Sequence, residues 1–197
     1  MQTRADLASR LNEVLKKFDS VETLINGLKE ICIKESWYWG DKRISNKLNN
    51  IFIENKGILP YLLMRYENAL RDKETKTRGY NFAIENIKNP QIEHIAPQTK
   101  IIEESGKRKA SEYCEYDKEF LENYLNCIGN LLLIAGSHNA SIGNEPFNKK
   151  LESYEISPLK QLREIKNFKT KDIWDKEAIK KRHKILENFV LETWNFK

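Results

Sequence analysis

The residues of this chain that could do chemistry together are Glu93, His94, Asn130 and Asn139. A histidine near neutral pH can take a proton from water, so His94 is a candidate general base for hydrolysing a phosphodiester. Such a base works best when a fixed oxygen holds its other ring nitrogen, and the amide oxygen of Asn130 could supply that contact. The alternative is a hydrogen-bonded core histidine, which is the usual role of a lone histidine on an apolar strand.

Oxygen ligands for a metal ion accompany the candidate base. Asn139 follows Asn130 by nine residues. Its neutral amide oxygen, together with the Glu93 carboxylate and water molecules, suits Mg²⁺ or Mn²⁺ better than Zn²⁺. Such an ion would neutralise the scissile phosphate and stabilise the leaving oxygen. His138 is the alternative ligand, because adjacent helical residues point about 100° apart and only one of the two should face the metal.

Two short apolar runs, "QIEHIA" and "NLLLIA", predict the strands that position these residues, and each run is ended by a proline or a glycine. Neighbouring residues on a strand point to opposite faces, so Glu93 and His94 share a site only if the strand ends or bulges there. After the second run, the sequence predicts a short helix that opens at Ser137, breaks at Gly143 and resumes near Pro146.

The remaining segments show apolar residues at helical spacing, which predicts a mainly α (α+β) fold. In this fold, helices enclose a small strand–strand–helix core. We expect an N-terminal helical region over residues 1–88, the core over 89–155, and a basic helical region over 156–197 that packs on the core.

Composition narrows the class of protein. The chain has 197 residues, of which 40% are hydrophobic and 32% charged, as in a soluble globular protein. No apolar run approaches the roughly 20 residues that span a membrane, and the charged start lacks the apolar core of a secretion signal. The three cysteines form no C-x-x-C pair, which fits a reducing environment. These features predict a cytoplasmic protein without a membrane partner.

The net charge of +5 lies in the last quarter of the chain, where residues 149–197 carry thirteen basic and eight acidic side chains. Such a tail suits a polyanion partner, although a solvated helical face rich in lysine explains the charge as well. His183, within "KKRHK", fits the solvated face. Lys107, Arg108 and Lys109 form a basic triplet that either contacts nucleic acid or lies in a mobile loop.

The order E-H-I-x-P, G-N-L-x-L and then a spaced asparagine resembles the HNH, or ββα-metal, nucleases. More narrowly, residues 91–154 resemble the C-terminal nuclease domain of GmrSD-like type IV modification-dependent restriction endonucleases. The resemblance implies a Mg²⁺- or Mn²⁺-dependent endonuclease that cuts DNA in a bacterial defence against phage and other foreign DNA. It assigns His94 as general base, Asn130 as the residue that orients it, and Glu93 and Asn139 as metal ligands.

The resemblance extends into the N-x-P-F-x-x-K pattern formed by Asn144, Phe147 and Lys149 or Lys150. It implies that Phe147 packs its helix and that a lysine meets a phosphate. In the family, this domain is joined to, or partnered with, a nucleotide-hydrolysing module that selects modified DNA, and the present chain has no G-x-x-x-x-G-K-[ST] loop. A nuclease acting on RNA and a non-catalytic module that binds nucleic acid or a partner protein are the alternatives.

Overall fold

The computed structural model describes residues 4–33, 41–75, 83–98 and 112–194. Within these ranges the α-helices are α1 (Arg4–Lys17), α2 (Val21–Ile33), α3 (Asp41–Asn49), α4 (Ile51–Glu54), α5 (Leu59–Thr75), α6 (Lys118–Asn123), α7 (Gly136–Ile142), α8 (Phe147–Glu155), α9 (Lys160–Arg163) and α10 (Lys176–Thr193). The strands are β1 (Pro90–His94) and β2 (Leu131–Ala135), and 3₁₀ turns cover Ile84–Asn86, Ile128–Asn130 and Glu164–Asn167. The predicted mainly α, α+β fold is confirmed.

The two strands pair antiparallel, with Glu93 opposite Leu132 and His94 opposite Leu131. Four consecutive residues of β2, Leu131–Ile134, are completely buried. Because successive side chains point to opposite faces, both faces of β2 must be covered. Helices α5 and α9 contact β2, and α7 contacts both strands.

At the outer edge of β2, a backbone N–H group donates to a buried glutamine side chain instead of to a third strand. The Leu133 N–H donates to Gln161 Oε1 at 3.2 Å, and Gln161 Nε2 donates to the Leu63 carbonyl at 3.3 Å. Gln161 is held in turn by Glu67, whose carboxylate accepts the backbone N–H groups of Lys160 and Gln161 at 3.0 Å each. The start of α9 is therefore fixed on α5, and the edge strand keeps no exposed donor at this point.

The chain forms two compact units. One comprises residues 1–46 and 191–197, and α1 packs against α2 within it. The other comprises residues 47–190 and contains both strands. Helix α5 contacts both strands from outside the 89–155 segment, and the division of the chain at residues 88 and 155 stays a prediction. None of the described helices is long and apolar enough to cross a membrane.

Candidate active site

His94 ends β1 with its ring held on two sides. Its Nε2 lies 3.2 Å from Asn126 Oδ1, and the Phe52 ring meets it edge-on with centroids 4.5 Å apart. Because an amide oxygen only accepts, Nε2 carries the proton and the lone pair of the neutral ring is on Nδ1. Burial lowers the pKa of His94 to about 4, so the ring is neutral at pH 7. His94 therefore has the protonation state that a general base requires.

Asn130, the predicted partner of the His94 ring, bonds elsewhere. Its Oδ1 accepts from the Ala96 N–H at 2.9 Å and from Trp174 Nε1 at 3.0 Å. Its Nδ2 donates to the carbonyls of Ala96 and Leu125 at 3.1 and 3.0 Å, and the side chain is completely buried. These four bonds fix the backbone just after His94. In this structure Asn130 positions the candidate base through the chain and not through the ring.

Asn126 is the residue that sequence reasoning missed. It stands four residues before Asn130 in "LNCIGN", and its side chain is 9% exposed. Its backbone carbonyl also accepts from the Phe52 N–H at 3.4 Å, so one residue contacts both the His94 ring and α4. A polar residue within an apolar stretch was the available signal, but nothing in the sequence told which asparagine would reach the histidine.

A bend follows β1, and Lys150 of α8 holds it. The Lys150 Nζ donates to the carbonyls of His94 and Ile95 at 3.1 and 3.3 Å, and it also binds Glu93 Oε1. Consecutive carbonyls of an extended strand point to opposite edges, so two that reach one ammonium require the chain to turn between them. The strand thus ends at His94, as a site shared by neighbouring side chains would require, and that Glu93 and His94 serve one site stays a prediction.

Glu93 and Lys150 form a buried ion pair, with Glu93 8% exposed and Lys150 completely buried. Burial raises the pKa of Glu93 and lowers the pKa of Lys150, because each charge loses its hydration. The charge of each partner opposes the change in the other. Tyr154 adds a hydroxyl 3.4 Å from Glu93 Oε1. One carboxylate oxygen is thus fixed by two donors.

Asn139 lies on the same face of β1 as Glu93. Its Nδ2 donates to Gln91 Oε1 at 2.9 Å, and Gln91 and Glu93 are two residues apart on the strand. The alternative ligand, His138, turns its Nε2 to the Ser153 hydroxyl at 2.7 Å. Of the two neighbours on α7, the asparagine contacts β1 and the histidine contacts α8.

The predicted metal ligands, Glu93 and Asn139, carry oxygen donors of the type that a hard divalent cation binds, and the Glu93 carboxylate is already paired with the Lys150 ammonium. Hydrogen bonds orient both candidate ligands through one atom each, the amide nitrogen of Asn139 and Oε1 of Glu93, as is usual for metal ligands. The oxygens that would bind an ion are Oδ1 of Asn139 and Oε2 of Glu93. Within the described residues, no three His, Cys, Asp or Glu side chains are grouped to hold a metal. A site of one carboxylate, one amide and water suits Mg²⁺ or Mn²⁺ and not a cation that needs nitrogen or sulfur ligands.

The structure separates the lysines that were predicted to contact nucleic acid. Lys149 is exposed and lies 3.3 Å from Glu152, so its contact with a phosphate stays a prediction. Lys150 is different: it is completely buried and bound to Glu93, so its geometry supports a structural contact and not one with DNA. Lys107, Arg108 and Lys109 lie outside the described residues. Phe147 is completely buried and its ring contacts those of Trp174 and Tyr113, as expected for the packing role that the resemblance implied.

Helix α10 presses against the 3₁₀ turn that ends at Asn130. Arg182, completely buried, donates through Nη1 to the carbonyls of Ile128, Gly129 and Leu131 at 3.3, 3.0 and 2.8 Å. His183, predicted on a solvated face, is half-buried, and its Cβ packs against this turn. Arg182 therefore holds this turn in place through its backbone carbonyl groups.

Gly129 is required by this close approach, since a Cβ added there would lie 2.5 Å from the Ile179 carbonyl and 2.8 Å from His183 Cβ. We expect Gly129→Ala to lower the free energy of unfolding by about 1–3 kcal/mol, because backbone atoms cannot move aside cheaply. Gly57→Ala is the matched control, because a Cβ at Gly57 meets nothing within 4 Å. Urea denaturation of both variants measures the difference, and equal stability would contradict the packing described.

Glu164 carries a half-buried carboxylate next to Arg182. The Tyr66 hydroxyl donates to its Oε2 at 2.9 Å, and Arg182 Nε lies 3.8 Å from its Oε1. Burial raises its pKa to about 7, and the charge of Arg182 and the bond from Tyr66 only partly offset that effect. Glu164 therefore titrates near neutral pH.

We expect this carboxyl to make stability depend on pH. Because its pKa rises on folding, the folded state binds the extra proton between the ordinary value of 4.5 and about 7, so stability falls as the pH rises through that window. The contribution amounts to about 3 kcal/mol at most. Denaturation of the wild type and of Glu164→Gln at several pH values measures it. The wild type should lose stability relative to the variant as the pH rises, and parallel curves would contradict the assignment.

Residues 39–188, from just before α3 to the last turns of α10, match the family model described as "GmrSD restriction endonucleases, C-terminal domain". The matched segment contains both strands and every residue of the site described above. No curated protein and no solved structure matches the chain.

Proposed function

Because this chain belongs to the family of GmrSD restriction endonuclease C-terminal domains, we propose that it hydrolyses DNA phosphodiester bonds as a metal-dependent nuclease of the HNH type. The observation that supports this most strongly is the state of His94. The ring is neutral, its Nε2 is fixed by Asn126, and the backbone that follows is held by Asn130 and Lys150.

His94 is the general base of this proposal. Its Nδ1 takes a proton from a water molecule, whose oxygen forms a bond to phosphorus while the bond to the leaving sugar oxygen breaks. Asn126 stabilises the resulting imidazolium, because its amide oxygen accepts from the Nε2–H. The Phe52 edge limits rotation of the ring. The leaving oxygen is protonated from solvent.

Glu93 and Asn139 are the residues that would hold Mg²⁺ or Mn²⁺. When bound, such an ion supplies positive charge that neutralises the phosphate and stabilises the leaving oxygen. Lys150 and Tyr154 keep the Glu93 carboxylate in place, and Gln91 does the same for the Asn139 amide. In this proposal, the bend after β1 lets the base and the metal ion act on one phosphate.

The wider role follows from the same proposal. A DNA-cutting domain of this family serves in defence against phage and other foreign DNA in the bacterial cytoplasm. A nucleotide-hydrolysing module or subunit is the partner we expect, because selection of the DNA to be cut needs a second activity that the site at β1 does not supply.

Cleavage of supercoiled plasmid tests the function. The purified protein should nick or linearise plasmid DNA with Mg²⁺ or Mn²⁺ and leave it intact in EDTA. Parallel reactions with structured RNA show whether the protein cuts DNA, RNA or both. Cleavage of RNA alone would mean that the substrate is RNA and not DNA. If neither nucleic acid is cut with any divalent ion, the proposal is wrong and a non-catalytic binding module is the better account.

A further inference from the structure

Helix α4 packs beside His94, the candidate base. The Phe52 N–H donates to the Asn126 carbonyl at 3.4 Å, and the Phe52 ring meets the His94 ring at 4.5 Å with planes 77° apart. Asn126 also holds Nε2 of His94. The position of α4 is therefore coupled to the orientation of the base through two contacts.

Lys56, in the turn after α4, places a positive charge over the Phe52 ring. Its Nζ lies 4.7 Å from the centroid of the Phe52 ring, the same ring that contacts His94. Lys56 is exposed, and among the described residues no ion pair engages it; the nearby Glu54 pairs with Lys47 instead.

The turn that carries Lys56 is open to a large ligand. Asn55, Lys56, Gly57 and Ile58 are all exposed, and no atom lies within 4 Å of a Cβ built on Gly57. An ammonium on an aromatic face keeps the N–H donors that point away from the ring for a ligand. A phosphodiester group offers the oxygens and the negative charge that such a cation binds.

We propose that Lys56, held on the Phe52 ring, binds a backbone phosphate of the DNA and sets the scissile phosphate against His94. This inference rests on the proposed function and adds to it a substrate-binding residue on α4's turn, far in sequence from the strands. Lys56 acts on the substrate and not on the fold, since its side chain is exposed.

Substitution of two exposed lysines tests the proposal. Lys56→Met removes the charge and keeps the length of the side chain, whereas Lys118→Met makes the same change at a site whose lysine is 87% exposed and pairs with Glu122 on α6. Binding to a short labelled DNA duplex is measured in EDTA at several salt concentrations, and plasmid cleavage is measured with Mg²⁺.

For Lys56→Met we expect the Kd for DNA and the KM for cleavage to rise about tenfold, and the slope of log K against log salt to fall by about 1. Lys56→Arg should restore most of the binding, because it keeps the charge. Lys118→Met should behave as the wild type. If Lys56→Met and Lys118→Met bind and cleave alike, the inference is wrong.

The outcomes separate this inference from the proposed function. A wild type that cuts DNA, with Lys56→Met equally active and equally salt-dependent, overturns the role of Lys56 and leaves the nuclease intact. A wild type that neither cuts nor binds DNA overturns both. Since Lys56 is exposed, the melting temperature of Lys56→Met should equal that of Lys118→Met, so a loss of binding reports on the contact and not on folding.

Discussion

Replacement of His94 by glutamine should lower the rate of DNA cleavage by about 10²–10⁴-fold while the protein stays folded. Glutamine can still donate to Asn126, and it fills most of the space beside Phe52, but it has no nitrogen lone pair that accepts a proton. The loss should appear in kcat, because the ring acts on the attacking water and does not bind the phosphate. Single-turnover cleavage of plasmid at saturating protein measures it.

His138→Gln is the matched control for this prediction. His138 contacts Ser153 on α8, whereas its neighbour Asn139 contacts β1, so we expect the variant to keep most of its activity. Melting temperatures of both variants show whether the fold is retained. An equal loss of activity in the two variants would contradict the proposal that His94 takes part in the reaction and His138 does not. It would favour His138 as a metal ligand.

Lys150→Met should destabilise the protein by about 3–5 kcal/mol, the largest stability effect we expect from one substitution here. The change leaves the Glu93 carboxylate buried without its cation, and it removes the only donor that the described residues show for both the His94 and the Ile95 carbonyls. The bend after β1 loses its support at the same time. Guanidinium denaturation measures the free energy of unfolding.

The adjacent lysine provides the control. Lys149→Met alters an exposed side chain whose pair with Glu152 is also exposed, so the change should stay within about 0.5 kcal/mol. Glu93→Gln combined with Lys150→Met should recover part of the loss, because the unpaired charge is gone. If Lys149→Met and Lys150→Met are equally stable, the buried ion pair does not exist as described.

Local patterns in the sequence were sufficient to predict the elements that carry the site. The apolar runs "QIEHIA" and "NLLLIA" became β1 and β2. The predicted helix break at Gly143 is confirmed: this residue has a φ of 43° and separates α7 from α8. Such features depend on neighbours within a few residues, so periodicity and turn residues reveal them.

Contacts between distant segments could not be predicted in the same way. Asn126 and Asn130 are equally polar and four residues apart, and only the packing of Trp174 and the turn before β2 decides that Asn126 reaches the histidine. Lys149 and Lys150 are identical in type, yet one is exposed and the other buried because the phase of α8 points Lys150 at Glu93. A shift of about 100° per helical residue separates the two roles.

We propose that the end of β1 supplies both the base and a metal ligand of one nuclease site. Anomalous scattering from crystals grown with Mn²⁺ tests it most directly. We expect one strong peak within coordination distance of the carboxylate of Glu93 and the amide oxygen of Asn139, close to the His94 ring. A peak bound by His138, or Mn²⁺ bound away from β1 while the crystals stay intact, would contradict the claim.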